Sequence, residues 1–126
     1  MIILDTSVWI EFLKNNPDYF PKISNLLENG EILGIECVFG ELLQGVKNKT
    51  EKEIILDYWK YIPKENFTDV IIEAGLYSLE NKFFDKGVGL LDAIILIHSL
   101  KTQYEIWTLD KKFLKVIPEY LIYRNN

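Results

Sequence analysis

The chain begins with an apolar run that leads directly into polar groups. Residues 1–4 are all apolar, and Asp5, Thr6 and Ser7 follow at once. A short apolar run of this kind is typical of a strand buried on both faces. In open α/β sheets the working groups lie just beyond the carboxyl ends of the strands. We therefore expect Asp5 to belong to a polar site at the edge of a sheet.

The remaining sequence alternates between helical and strand-like patterns. Apolar spacing and turn residues predict helices over about 8–14, 19–28, 36–46, 51–61, 70–83, 90–100 and 109–114, and strands over 32–35, 104–108 and, at an edge, 121–123. The helix near 70–83 runs through Ile72, Leu76, Leu79 and Phe83, and Thr68 or Asp69 can cap it. Strands separated by helices predict a three-layer α/β/α sandwich with a mostly parallel central sheet.

Length and composition are those of a compact folded protein. The 126 residues are 48% apolar and suit one domain over residues 1–126. A single cysteine, Cys37, forms no internal disulfide, so we expect a reducing, cytoplasmic setting. The N-terminus lacks the pattern of a secretion leader, and the longest apolar-rich run, 90–100, is too short to cross a membrane.

The net charge of −5 argues against a simple nucleic-acid-binding module, which would normally be basic. This objection weakens if some acids bind a cation, because the cation inverts the local charge. Eight lysines lie in clusters that could form either an RNA-facing rim or an ordinary solvated face: Lys47, Lys49, Lys52, Lys82, Lys86, Lys111, Lys112 and Lys115.

Four carboxylates lie at element boundaries or on a polar helix face. Asp5 and Asp110 each follow a predicted strand, Asp92 is near the start of the buried helix, and Glu41 lies off the apolar stripe of its helix. Carboxylates gathered in one pocket repel each other unless a cation offsets their charge. Oxygen ligands without clustered histidine or cysteine favour Mg²⁺ or Mn²⁺. Such an ion can activate water and neutralise charge on a phosphodiester.

Four motifs in these regions resemble the PIN domain, especially the VapC-type toxic ribonucleases of toxin–antitoxin pairs. They are DTSVWI at 5–10, ELLQG at 41–45, LLDA at 90–93 and TLDKKF at 108–113. The resemblance covers essentially the whole chain in the family's order. It implies a Mg²⁺- or Mn²⁺-dependent endoribonuclease in which Asp5, Glu41, Asp92 and Asp110 are catalytic and bind the metal.

The same resemblance implies a homodimer that a cognate antitoxin inhibits by entering the active-site groove. By analogy Thr6 or Ser7, together with Thr108, would orient a carboxylate or a water. The chain departs from the family at Leu109, where many relatives carry a polar residue, and at Lys112, where some carry a further acid. A charged lysine binds no cation, so we expect one well-defined ion rather than two.

Structural explanations compete with these roles. Asp92 and Asp110 could each cap a helix, which is worth about 1 kcal/mol. Thr6 and Ser7 could cap the first helix or steer Asp5. We interpret His98, six residues after Asp92, as a packed structural residue because that spacing turns it roughly 120° around the helix.

Other classes of function are the alternatives to a ribonuclease. One is another metal-dependent phosphoryl hydrolase or a DNA nuclease, and the other is a non-catalytic PIN-like binding module. A haloacid-dehalogenase-type phosphatase needs a second acid two places after Asp5, where Ser7 stands, and a receiver domain needs paired acids near the first strand.

Overall fold

The computed structural model describes residues 1–125. The strands are β1 (Ile2–Leu4), β2 (Ile32–Leu33) and β3 (Glu105–Trp107), and the helices are α1 (Thr6–Leu13), α2 (Phe20–Glu28), α3 (Glu36–Gln44), α4 (Lys49–Tyr61), α5 (Val70–Glu80), α6 (Leu90–Thr102) and α7 (Lys111–Leu114). Short 3₁₀ turns occur at Phe84–Lys86 and Glu119–Leu121. Within the described residues no helix is both long and apolar enough to cross a membrane.

The sheet is parallel and has the order β2-β1-β3. Ile3 of β1 pairs with Leu33 on one side and with Ile106 on the other. Helices flank this sheet, and the predicted α/β/α architecture is confirmed. Because the strands are parallel, their carboxyl ends share one edge, and α1, α3 and α7 all begin near it.

The sheet is short, so helices supply most of the core. Most apolar residues of β1 and β3 are buried together with Trp9, Phe12 and Phe39, and Ile2 is partly buried. The Trp9 and Phe39 rings pack in a T-shaped arrangement, with their centroids 5.1 Å apart. Helix α6 is buried almost continuously from Ala93 to Ile97, as its uniformly apolar sequence predicts.

Most of the apolar residues whose spacing predicts α5 lie on its exposed side. Ile72, Leu76 and Leu79 are 65%, 54% and 75% exposed, while Val70 and Ala74 are buried. Helix α5 packs against α6 through its smaller residues, and a small side chain such as Ala74 allows close approach. Both sides of this helix carry apolar residues, so periodicity alone indicates two possible inner faces.

The predicted edge strand at 121–123 is reduced to one isolated bridge. Ile122 pairs in parallel with Ile106, and the Tyr123 amide donates to the Ile106 carbonyl at 2.8 Å. The 3₁₀ turn at Glu119–Leu121 occupies the residues just before the bridge, so the chain is extended beside β3 only briefly.

Candidate functional site

Asp5 is a buried carboxylate at the carboxyl end of β1, and its side chain is 4% exposed. It is the N-cap of α1, because its Oδ1 accepts the Val8 amide at 3.2 Å. Ser7 Oγ donates to the same oxygen at 2.5 Å. Asp5 itself therefore caps the helix, and Ser7 holds the carboxylate in place. The alternative in which Thr6 or Ser7 caps α1 is wrong.

Thr108 holds the other oxygen of this carboxylate. The pairing of Leu4 with Trp107 continues past the strands, since the Asp5 amide donates to the Trp107 carbonyl at 3.1 Å. This register places Thr108 next to Asp5, and the Thr108 hydroxyl donates to Asp5 Oδ2. Three protein donors therefore fix Asp5. An ionised carboxylate offers about four acceptor sites, so Asp5 retains room for about one further bond.

The loop after β3 is joined to the same network by its backbone. The Leu109 amide donates to Ser7 Oγ at 3.1 Å, and the Asp110 amide donates to Thr108 Oγ1 at 3.0 Å. In the sequence Leu109 stands out only as a departure from the family. In the structure its backbone amide donates a hydrogen bond to Ser7, which holds Asp5. Backbone contacts of this kind leave no signature in residue type.

Asp110 is the N-cap of α7, as one of the two interpretations predicts. Its Oδ1 accepts the amides of Lys112 at 2.9 Å and Phe113 at 3.3 Å. Neither contact uses Oδ2. Capping and ion binding are therefore compatible in this residue, because each can use a different oxygen.

Asp92 lies at the third position of α6, and Gly89 occupies the N-cap. The capping explanation of Asp92 is therefore wrong. Its half-buried carboxylate has no hydrogen bond or ion pair within residues 1–125. Burial is the largest of the effects that together raise the pKa of Asp92 to about 6, and repulsion from Asp110, Asp5 and Glu41 contributes in that order of importance.

Glu41 is exposed on α3, and its charge is the smallest of the three that raise the pKa of Asp92. The pKa of the Cys37 thiol is raised to about 11, chiefly by burial and next by the negative charge of Glu41. Thr6 and Glu41 line the same groove between α1, α3 and α4. No hydrogen bond joins the Thr6 hydroxyl to Asp5 in the described chain.

The other three predicted acids thus act electrostatically on one carboxylate, Asp92. In residues 1–125 no three side chains of His, Cys, Asp or Glu are close enough to hold an ion as they stand. The donor set nevertheless fits a hard divalent cation, since it consists of carboxylates alone. An unpartnered, partly desolvated carboxylate surrounded by three others is a group that a cation would stabilise. Burial also raises the pKa of Asp5, with a smaller contribution from Asp110.

His98 lies away from these acids. Its ring packs against Phe67 with the centroids 5.6 Å apart, and burial lowers its pKa. Its Nδ1 is buried and has no partner among the described residues. This packing agrees with a structural role.

Fold and site together define an α/β domain that directs carboxylates to the carboxyl edge of a parallel sheet, a chemistry suited to phosphate esters. The family model described as PIN domain matches residues 2–117. The chain therefore belongs to the PIN-domain family, whose members are nucleases that hydrolyse phosphodiester bonds. This confirms the resemblance drawn from the four motifs.

Three chains of solved structures match this one. One is in the crystal structure of VapBC2 from Rickettsia felis bound to a DNA fragment from their promoter. It is 25% identical with a TM-score of 0.69, and the match covers 97% of this chain and 96% of that chain. No curated protein matches the sequence.

Proposed function

We propose that this protein is a Mg²⁺- or Mn²⁺-dependent endoribonuclease and the toxin of a type II toxin–antitoxin pair. The observation that carries the proposal is the unpartnered Asp92 carboxylate, whose pKa is raised by burial and by all three other predicted acids. Family membership supports nuclease chemistry, and the similarity to a VapBC2 chain supports the toxin assignment.

The acids divide into fixed and available groups. Asp5 is held by Ser7, Val8 and Thr108, so it can bind the ion through one remaining acceptor site or through a water. Asp92, Glu41 and Oδ2 of Asp110 are available for the ion or its waters. When bound, the ion would supply a Lewis acid for phosphodiester hydrolysis. The role of Thr108 and Ser7 is to orient Asp5, because both donate to its oxygens.

The decisive experiment measures RNA cleavage by the purified protein, free of any antitoxin. Mg²⁺ or Mn²⁺ should support cleavage, EDTA should stop it, and Asp5→Asn and Asp92→Asn should abolish it. Asp57→Asn, which removes an exposed acid from α4, is the matched control and should cleave normally. EDTA-resistant cleavage retained by both site variants would overturn the mechanism.

The same assay separates the alternatives. Preferred cleavage of single-stranded DNA, or hydrolysis of a simple phosphate ester without RNA cleavage, would indicate another phosphoryl hydrolase. Tight RNA binding without any cleavage would indicate a non-catalytic binding module. RNA ends mapped after induced expression would identify the substrate and its cleavage position.

The groove beside the acids suits a protein inhibitor. It has a volume of about 860 Å³ and runs between α1, α3 and α4, with Ile10, Leu42 and Ile55 among its apolar lining and Glu41 as the one predicted acid that lines it. A polypeptide seated there would lie against Glu41 and would compete with RNA at that side of the site. We assign it to the tail of a cognate antitoxin, which acts with the toxin in the cytoplasm.

Co-expression with the antitoxin should suppress cleavage. A short gene for a DNA-binding protein immediately upstream would support this assignment.

We also propose a homodimer formed through α5. The exposed apolar residues Ile72, Leu76 and Leu79 form a face on this helix, and Phe84 next to it is 93% exposed. Contiguous exposed apolar surface of this kind is typical of an interaction site.

A further inference from the structure

Lys112 follows the Asp110 cap, and the end of its exposed side chain lies beside a glycine. A Cβ added at Gly87 would lie 3.1 Å from Lys112 Cδ and 3.3 Å from Lys112 Nζ. Gly87 has a φ of +73°, which also favours glycine. The absence of a side chain at Gly87 therefore leaves the space that the end of Lys112 occupies.

This contact places a positive charge between the start of α7 and the loop before α6. Gly87 lies two residues before the N-cap of α6, whose third residue is Asp92. Lys112 lies in the first turn of α7, and its own amide donates to Asp110 Oδ1. The ammonium group is thus close to the elements that carry Asp92 and Asp110, but it is not among the charges that shift the pKa of Asp92.

No acid neutralises this ammonium in the described part of the chain. Lys112 belongs to none of the ion pairs there, which involve Lys14, Lys49, Lys101 and Arg124. Every neighbouring charge that shifts the pKa of Asp92 is a carboxylate. The lysine therefore remains available to an anion that enters the site from outside.

We propose that Lys112 binds a phosphate of the single-stranded RNA substrate next to the scissile bond and that Gly87 is the positioning residue that holds it there. This rests on the proposed ribonuclease function. In this arrangement the lysine contributes to substrate affinity and position, while the carboxylates bind the ion. It gives one of the eight lysines a specific role and makes no claim for the others.

The test measures binding of a labelled single-stranded RNA at several salt concentrations, in an Asp92→Asn background in which no cleavage is expected. Lys112→Ala should weaken binding about tenfold, as expected for loss of a hydrogen bond to a charged group. It should also reduce the slope of log affinity against log salt by about 0.7, as expected for one lost contact to a single strand. Lys22→Ala removes an equally exposed lysine from α2 and is the control for net charge.

A second variant tests the positioning role. In Gly87→Asn the new residue tolerates the left-handed backbone conformation, but its Cβ occupies space next to the end of the lysine. It should weaken RNA binding towards the Lys112→Ala value, and the double variant should bind no worse than Lys112→Ala alone. Thermal unfolding checks that each variant is folded.

The outcomes separate the two proposals. Suppose that the wild-type protein cleaves RNA, but that in the Asp92→Asn background Lys112→Ala binds RNA as tightly as Lys22→Ala does. The role of Lys112 is then overturned and the ribonuclease function stands. If the wild-type protein neither cleaves nor binds RNA, both proposals fail. Unchanged Mg²⁺ affinity in otherwise wild-type Lys112→Ala would support the assignment to RNA rather than to the ion.

Discussion

At the scale of single residues, the surroundings of Asp92 disfavour its charged form. Burial and three carboxylates raise its pKa to about 6 from an ordinary value of 3.8. Protonation therefore favours the metal-free fold: this contribution to stability is complete below about pH 4 and is lost as the pH rises through about 6. At pH 8 the charged carboxylate opposes folding.

Asp92→Asn is accordingly expected to raise the melting temperature of the metal-free protein at pH 8. The gain should be roughly 1 kcal/mol, reduced by the partial exposure of the side chain, or about 4 °C. It should shrink at pH 4.5, where the wild-type carboxyl is protonated. Thermal unfolding in EDTA at both pH values measures this. Mg²⁺ should then stabilise the wild-type protein at pH 8 but not Asp92→Asn. If the wild-type protein and Asp92→Asn melt at the same temperature in EDTA at pH 8, the charged Asp92 carboxylate does not destabilise the metal-free fold, and the prediction is contradicted.

At the scale of elements, α4 depends strongly on its own capping. Ile55 is its one buried residue within the described chain, and grooves run along both of its sides. Asn48 Oδ1 accepts the Glu51 amide at 2.9 Å, and Glu51 Oε2 accepts the Lys47 amide at 2.8 Å. These two bonds satisfy backbone donors at the start of the helix.

Asn48→Ala should therefore lower the free energy of unfolding by about 1 kcal/mol. Hydrogen exchange should accelerate in the first turns of α4 and remain slow in the buried helix α6. Asn25→Ala, which removes a side-chain contact to Asn29 on the surface of α2, is the control. Equal effects of the two variants would show that α4 is held by packing rather than by its cap.

Sequence patterns predicted elements whose environment is uniform. Helix α6 is apolar on all sides and lies in the core, while β1 is an apolar run that ends at Asp5. For α5 the sequence pattern predicted the helix but did not indicate which side is buried, because Ala74 and Leu76 lie on different sides of a helix that is apolar on both. Only the packing of α5 against α6 determines which side is buried.

For the site, the motifs indicated Asp5, Glu41, Asp92 and Asp110 as a group, and the resemblance implied that Thr6 or Ser7, together with Thr108, orients a carboxylate or a water. The structure adds which groups meet: Ser7 and Thr108 both donate to Asp5. Whether an Asp caps a helix depends on where that helix starts, and the exact start is poorly determined by sequence. The contact between Gly87 and Lys112 joins residues far apart in the chain, so no local pattern indicates it.

At the scale of the whole molecule, an exposed apolar face lies on α5. It comprises Ile72, Leu76 and Leu79, with Phe84 beside it. Water-exposed side chains of this size gain free energy when they are buried, at about 25 cal/mol per Å². A second copy of the chain offers the same face, as a two-fold symmetric dimer requires.

The double variant Leu76→Lys/Leu79→Lys should consequently be monomeric, whereas the wild-type protein should be a dimer by light scattering after size exclusion. Dimerisation should also make the wild-type melting temperature rise with protein concentration, and the variant should lose this dependence. Leu56→Lys changes a leucine of α4 that is 45% exposed and lies outside the face, so it should remain dimeric. A wild-type protein that stays monomeric across the micromolar range would exclude the α5 interface, and a double variant that stays dimeric would place the interface elsewhere.

Because α5 packs on α6, which carries Asp92, cleavage by the monomeric variant would also reveal whether the acid site works without a second copy.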